Sequence, residues 1–284
     1  MTVLVTGANG HLGRLVIDQL IARGLARAEI VAGVRSPEKA ADLAEAGVSV
    51  ARLDYDDPAS VGAALEGIDK VLLISGTDFG NRVAQHTAVV EAARAEGVKL
   101  LAYTSASKAD SSDFVLAPEH GATERIIAES GIPFVMLRNV WYVENYQLDA
   151  ERAREAGEFA AAAGEGRVAA ASRLDYAEAA AVVLLEEGHE GKVYELAGDA
   201  VLNYQEIAQA IGEAIGREVV YRQVSPEELA AGLTAAGVDP GFVGVAVAID
   251  QGIAQGALDI EDHTLAELIG RPTTPFADAL RAGN

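Results

Sequence analysis

The chain has 284 residues, half of them hydrophobic, with 22 Lys and Arg against 43 Asp and Glu and a formal charge of −21. That composition supports a packed core and excludes wholesale disorder, and so acidic a chain is a poor partner for nucleic acid or an anionic membrane surface, both of which need clustered cations. Cysteine is absent, which removes disulfides, thiolate zinc sites, cysteine-ligated iron–sulfur clusters and a cysteine nucleophile, and suits a reducing compartment.

In chain order, residues 3–5 read as a strand that runs into Thr6-Gly7. Leu12, Leu15, Val16 and Leu20 have helical spacing over 11–23, and Gly24 is a natural terminator. A second strand is predicted at 30–34, followed by a helix opened by Ser36-Pro37; a third at 48–53, followed by a helix opened by Asp57-Pro58. Further strands are predicted at 71–74, 100–103 and 134–137, separated by helices at 82–96 and 119–129. Short, nearly continuous aliphatic strands alternating with helices predict an α/β fold, a doubly wound parallel sheet whose ligand site lies beyond the carboxyl ends of the strands.

After Tyr146 helices dominate, at 149–156, 176–187, 204–215, 226–236 and 264–269, with short strands at 193–196 and 219–224. The expected division is a nucleotide-binding domain at 1–146 and a smaller, mostly helical lobe at 147–284, with 193–198 free to return to the main sheet. No apolar stretch nears the roughly 18–20 residues of a membrane span. The chain opens in a strand rather than a charged leader with an apolar core. The expected location is the cytoplasm.

Gly7-Ala8-Asn9-Gly10-His11-Leu12-Gly13 places glycines at every third position between the first strand and the first helix. The first permits a tight turn, the second lets backbone approach a pyrophosphate, and the third lets helix pack on strand, while the helix start offers free N–H groups and a partial positive charge. At the end of the second strand, where an NAD enzyme places an acid for the ribose hydroxyl, the chain carries Gly33-Val34-Arg35 with Lys39 one turn on. Residues 1–39 hold five basic and three acidic groups inside an otherwise acidic chain. Arg35 can grip a 2′-phosphate bidentately and Lys39 can add a charge, so the expected cofactor is NADPH. Asp54, at the close of the third strand, either accepts from the adenine amino group or caps the next turn.

Short-chain reductases of the Tyr-x-x-x-Lys type use the lysine to lower the tyrosine pKa. None of the eight tyrosines here has lysine four residues later, and the helix where the pair belongs carries His120 and Glu124. Either the chain binds nucleotide without turnover, or its substrate needs no strong proton donor. A quinone fits the second case, because the hydroquinone oxygens are phenol-like, with pKa about 10. His120 is the candidate catalytic donor, since imidazole titrates near neutrality. The alternative is a structural histidine. The five histidines show no metal-ligand spacing, and no metal is expected. Three aromatics fall within the segment 141–146, including the only tryptophan. Trp141, Tyr142 and Tyr146 are candidates for flat walls around a planar acceptor, or for core filling.

The Thr6-Gly7-x-x-Gly10-x-x-Gly13 turn resembles that of extended and atypical short-chain dehydrogenase/reductases. Together with Leu72-Leu73-Ile74-Ser75, Ala102-Tyr103-Thr104-Ser105, Leu137-Arg138-Asn139, Trp141-Tyr142, Glu144-Asn145-Tyr146, the run 187–198 and Leu268-Ile269-Gly270-Arg271-Pro272, the chain is similar to the NmrA-like type 2 NAD(P)H:quinone oxidoreductases. The resemblance implies that Gly7, Ala8, Asn9, Gly10, His11 and Leu12 wrap the pyrophosphate and that Arg35 takes the 2′-phosphate. It implies that Ser75, Gly76 and Thr77 line the cofactor groove, and that Asn139, Val140, Trp141, Tyr142, Val143 and Glu144 border the nicotinamide and substrate. The implied activity is an NADPH-dependent hydride transfer to a quinone or other planar acceptor. An NmrA-type redox sensor without turnover and a triphenylmethane-dye reductase are the alternatives. The oligomeric state, including a homo-oligomer, is left open.

Overall fold

The computed structural model describes residues 1–283. Its first half runs β1 (Val3–Val5), α1 (His11–Ala22), β2 (Ile30–Val34), α2 (Ala41–Glu45), β3 (Ser49–Arg52), α3 (Pro58–Leu65), β4 (Lys70–Leu73), α4 (Arg82–Ala95), β5 (Leu100–Ala106), α5 (Ala117–Glu129) and β6 (Phe134–Asn139). There follow α6 (Gln147–Ala156), β7 (Glu158–Ala161), β8 (Arg167–Val168), α7 (Arg173–Leu185), β9 (Lys192–Leu196), β10 (Leu202–Asn203) and α8 (Tyr204–Ile215). The chain ends with β11 (Val220–Gln223), α9 (Pro226–Ala235), α10 (Pro240–Ala254), α11 (Thr264–Ile269) and α12 (Phe276–Ala282).

The main sheet has seven strands in the order β3-β2-β1-β4-β5-β6-β9. The first six pair in parallel, with Leu4 opposite both Val31 and Val71. Helices on both faces explain the aliphatic strands: every side chain of β1 is fully buried. One face of the core gathers Leu4, Val61, Leu65, Val71, Leu73, Val89, Leu101 and Tyr103. Each large side chain removed from water there contributes about 1.5–3 kcal/mol. α1 buries Leu12, Val16, Ile17 and Leu20, one stripe of its surface. Asp57 caps α3 through the Ala59 and Ser60 amides, with Pro58 at the first helical position. The Ser36-Pro37 signal opens a 3-10 turn over Pro37–Ala40 before α2, because the Lys39 amide bonds back to the Ser36 carbonyl three residues away.

Two compact units result: Met1–Ser111 with Leu116–Asn139 and Arg173–Glu195, and Ser112–Val115 with Val140–Ser172 and Leu196–Asn284. This division differs from a single boundary after residue 146. α7 belongs to the first unit because it packs along α1 and touches β4, β5 and β6, with Ala177, Ala180 and Ala181 fully buried, and β9 forms the sheet edge beside β6. Residues 140–172 belong to the second unit, where Val140 donates to the Leu196 carbonyl and Trp141 and Val143 exchange hydrogen bonds with Ala171.

The second unit holds two small sheets, β11 parallel to β7 and β10 antiparallel to β8. Its core is aromatic: Phe159 and Tyr204 stack at 5.5 Å, and Tyr146 meets Phe276 at 5.3 Å. Asn203 and Ser225 start α8 and α9 with capping boxes closed by Glu206 and Glu228. Sequence reading passes over β7, β8, β10, α10 and α12. In α10 valines and glycines replace strong helix formers.

Gly13 is where α1 seats against the first turn. A Cβ there would lie 2.6 Å from the Gly7 carbonyl oxygen and 2.7 Å from Ala8 Cα, both rigid backbone. Gly13→Ala is expected to lower unfolding stability by roughly 2–3 kcal/mol. A urea titration followed by circular dichroism checks this, and an unchanged midpoint would contradict the close seat.

Candidate functional site

The order of strands reverses at β1, which pairs with β2 on one side and β4 on the other. In doubly wound sheets a ligand crevice forms at this reversal, beyond the carboxyl ends of the strands. A cavity of about 370 Å³ lies there, lined by Gly7, Asn9, Gly10, Val34, Arg35, Asp54, Tyr55, Gly76, Thr77 and Gln85 among others. All of these residues belong to the first unit.

Gly7 turns the chain out of β1 at φ +58°, a conformation that disfavours side chains. Gly10 follows, and α1 begins with no side-chain cap and no acid in its first turn. Its first N–H groups are therefore available to an anion. Ala8 and Leu12 turn their side chains into the core, and His11 is exposed, so from these positions only backbone faces the turn's outer side as a common element. Asn9 is fixed rather than free. Its Oδ1 accepts from Arg14 at 2.8 Å and its Nδ2 donates to the Ser36 carbonyl at 3.4 Å.

The cations of the first segment divide into used and unused. Arg14 is committed to an ion pair with Asp42 as well as to Asn9. Arg35 lines the cavity, is exposed, and makes no side-chain hydrogen bond or ion pair among the described residues. Lys39 is also exposed. Asp54 lines the cavity while its carboxylate caps the Asp56 amide at 3.2 Å and lies 3.6 Å from Arg52.

Below the cavity lie polar groups that sequence reading missed. The Tyr55 hydroxyl donates to Thr6 Oγ1 (2.6 Å) or the Ile74 carbonyl (2.8 Å), and Thr6 Oγ1 accepts the Ile74 amide at 2.9 Å. Burial pushes the Tyr55 hydroxyl well above the usual phenol range, so it stays a donor. Only the position of Tyr55 at the end of the third strand could have suggested this.

His120 stands in the first turns of α5, 6% exposed, with Nδ1 2.8 Å from the Tyr103 hydroxyl. Burial, helped by Arg82 and His86, lowers its pKa to about 3. The expectation that it titrates near neutrality is corrected accordingly: at pH 7 it is a neutral imidazole. Glu124, where the lysine of a Tyr-x-x-x-Lys pair would stand, binds Arg138 through both oxygens at 2.6 and 2.9 Å. Arg138 also meets Glu195 and Asp110, each at 3.1 Å.

Asn139 ends β6 almost fully buried. In the second unit, Val140 and Val143 are buried, while Trp141, Tyr142 and Glu144 are half-buried. Tyr146 is 4% exposed and sits among Phe159, Tyr204 and Phe276. Its surroundings fit core filling rather than the substrate wall expected of it, because its ring is enclosed by other rings of its own unit. Among the described residues there is no metal-ligating cluster and no helix long and apolar enough to cross a membrane.

A family model described as NAD(P)H-binding matches residues 7–187. Quinone oxidoreductase 2 of Escherichia coli K12 is 45% identical over 98% of this chain and 97% of its own length. The chain belongs to this NAD(P)H-binding, NmrA-like family. The NADPH complex of the NADPH-dependent quinone oxidoreductase QOR2 from E. coli superposes with a TM-score of 0.94 at 44% identity, covering 99% of both chains. The triphenylmethane reductase of Citrobacter sp. complexed with NADP(H) gives 0.92 at 38% identity, covering all of both chains. An NmrA-like oxidoreductase of Aspergillus flavus is 31% identical over 99% of this chain and 94% of its own. The site agrees with NAD(P)H binding in this family: an uncapped helix start, a turn that excludes side chains, and an unpaired arginine share one crevice.

The buried histidines make stability pH-dependent. Folded His120 and His86 both have pKa values lowered to about 3, mainly by burial, against an ordinary value of 6.5. Below pH 6.5 the unfolded chain takes up protons that the folded chain refuses, so the stability present above pH 6.5 is lost as pH falls towards 3. Asp149, raised to about 6 by burial, acts in the opposite sense. His120→Phe is therefore expected to flatten the decline between pH 6.5 and 4 by up to about 1.4 kcal/mol per pH unit. Urea midpoints of both proteins across that range check it, and parallel declines would refute it.

Proposed function

We propose that the chain is an NADPH-dependent oxidoreductase that transfers hydride to a quinone and yields the hydroquinone, acting in the cytoplasm. The observation that carries the reading is the unpaired Arg35 beside the glycine turn, in a chain alike over nearly its whole length to a quinone oxidoreductase.

The residues fit the dinucleotide in parts. Gly7, Ala8, Asn9, Gly10, His11 and Leu12 offer backbone to the pyrophosphate, and Arg35 with Lys39 takes the 2′-phosphate. Asp54 faces the adenine side, and Ser75, Gly76 and Thr77 line the groove. Asn139, Val140, Trp141, Tyr142, Val143 and Glu144 border the nicotinamide, and Trp141 and Tyr142 wall the acceptor. When bound, the nicotinamide supplies the hydride. The chain's own contribution is to position two flat rings and to exclude water. A hydroquinone oxygen, with pKa about 10, takes its proton from water, so no imidazolium is required. Neutral His120 therefore serves as a hydrogen-bonding neighbour of Tyr103 rather than an ionic acid.

NADPH consumption with benzoquinones and naphthoquinones, followed by nucleotide absorbance, tests the activity. Turnover is expected with NADPH, and nucleotide binding without turnover across the panel would overturn the reading. Arg35→Ala is expected to raise KM for NADPH about tenfold or more while changing KM for NADH less than threefold, since only NADPH carries the extra phosphate. Equal changes for both nucleotides would remove Arg35 from that role.

A further inference from the structure

The chain leaving β4 loses its ladder at Leu73, yet its next three amides are all bonded, each to a side chain from a different element. Ile74 donates to Thr6 Oγ1 at 2.9 Å, Ser75 to Thr104 Oγ1 at 2.9 Å, and Gly76 to His86 Nε2 at 3.1 Å. Gly76 is held at its other end as well, because its carbonyl accepts from Arg82 Nε at 2.7 Å. Thus His86 and Arg82, one turn apart on α4, grip both polar groups of one peptide residue that lines the cavity.

The histidine is set up for this single task. An amide can only donate, so Nε2 must carry no proton, and the proton must sit on Nδ1. Nδ1 lies 3.1 Å from Thr123 Oγ1, which passes its own hydrogen to the Glu119 carbonyl at 3.0 Å. The ring is fully buried and wedged edge-on against Tyr103 at 5.4 Å and Tyr55 at 6.0 Å. An imidazolium would set N–H against N–H at Gly76, and Arg82 repels it too.

Further along, the Glu119 carboxylate accepts the Gly80 amide at 2.7 Å and lies 3.1 Å from Arg82. The loop is therefore clasped at Gly76 and again at Gly80, while Thr77, Asp78 and Phe79 between them are exposed. Gly76 itself lines the cavity, so at this position the wall is backbone.

We propose that His86 is a positioning residue for nucleotide binding: through its bare Nε2 it fixes the Gly76 amide and so sets the wall of the cofactor groove at residues 75–77. The proposal rests on the reading that this cavity holds NADPH, and the wild-type arm of the experiment separates the two. Calorimetric titration of the full chain with NADPH, together with KM and kcat for a quinone it turns over, is done for wild type, His86→Leu and His86→Gln. His86→Leu removes the acceptor, whereas His86→Gln can present Oε1 near the place of Nε2.

The expected result is a Kd for NADPH about tenfold weaker in His86→Leu, with KM rising far more than kcat falls, and recovery to within about threefold in His86→Gln. Equal affinity in His86→Leu and wild type would overturn the proposal, and so would equal weakening in both variants, which would make the ring's volume rather than its acceptor responsible. No NADPH binding by wild type would instead overturn the cofactor reading. A ¹⁵N spectrum of the wild-type histidine side chains needs no variant to fold: an unprotonated Nε2 coupled to the Gly76 amide is expected at neutral pH, and a protonated Nε2 would refute the tautomer.

Discussion

Everything at the crevice depends on how closely α1 sits on the turn that follows β1. The helix arrives with less than a methyl group of clearance at Gly13, and its first N–H groups therefore emerge immediately beyond Gly7 and Gly10. Were the helix farther away, the same N–H groups would point into solvent. The attraction of an anion to a helix terminus fades within one turn, so the seat determines whether the terminus is useful at all. The glycines thus contribute by what they omit, and the cost in backbone entropy is offset by the burial of Leu12, Val16, Ile17 and Leu20 against the sheet.

A second layer stands behind that seat. Thr6, Tyr55, Thr104, His86 and Arg82 are not ligands in the proposed arrangement, yet they bond the backbone that is. Each sits where water is excluded, so leaving one of these amides unpaired would be expensive. Short polar side chains placed at the strand ends let the chain leave the sheet without abandoning its hydrogen bonds. The same interior keeps its histidines neutral, consistent with a chemistry that asks for placement rather than for a strong acid.

Much of the fold is legible in the residues. The alternation of short aliphatic strands with helices is a local signal, and so is the glycine turn, because a tight turn and a close contact admit few other residues. Arg35 is legible as a cation where an acid is customary. His86 is not: nothing about a histidine inside α4 announces that it faces the strand exit, since the meeting of residues 76 and 86 is a fact of tertiary packing. Tyr146 misleads for the same reason, its neighbours Phe159, Tyr204 and Phe276 being remote in the chain. The division into units is hidden too, because α7 looks in sequence like one more helix of the second half, and its packing on α1 and on the strands of the main sheet claims it for the first.

The cluster around Arg138 bears on how this catalytic style could be exchanged for another. One guanidinium faces three carboxylates, from Glu124, Glu195 and Asp110, and the Glu195 carboxylate additionally accepts the Ser107 hydroxyl and the Lys108 amide. Placing a lysine at 124, as the tyrosine–lysine reductases have it, would set two cations side by side in the interior and strip Arg138 of its bidentate partner. With His at 120 and Glu at 124, no single substitution converts this site to that chemistry. A tyrosine placed at 120 alone would face Glu124, already bound to Arg138, and would have no lysine beside it.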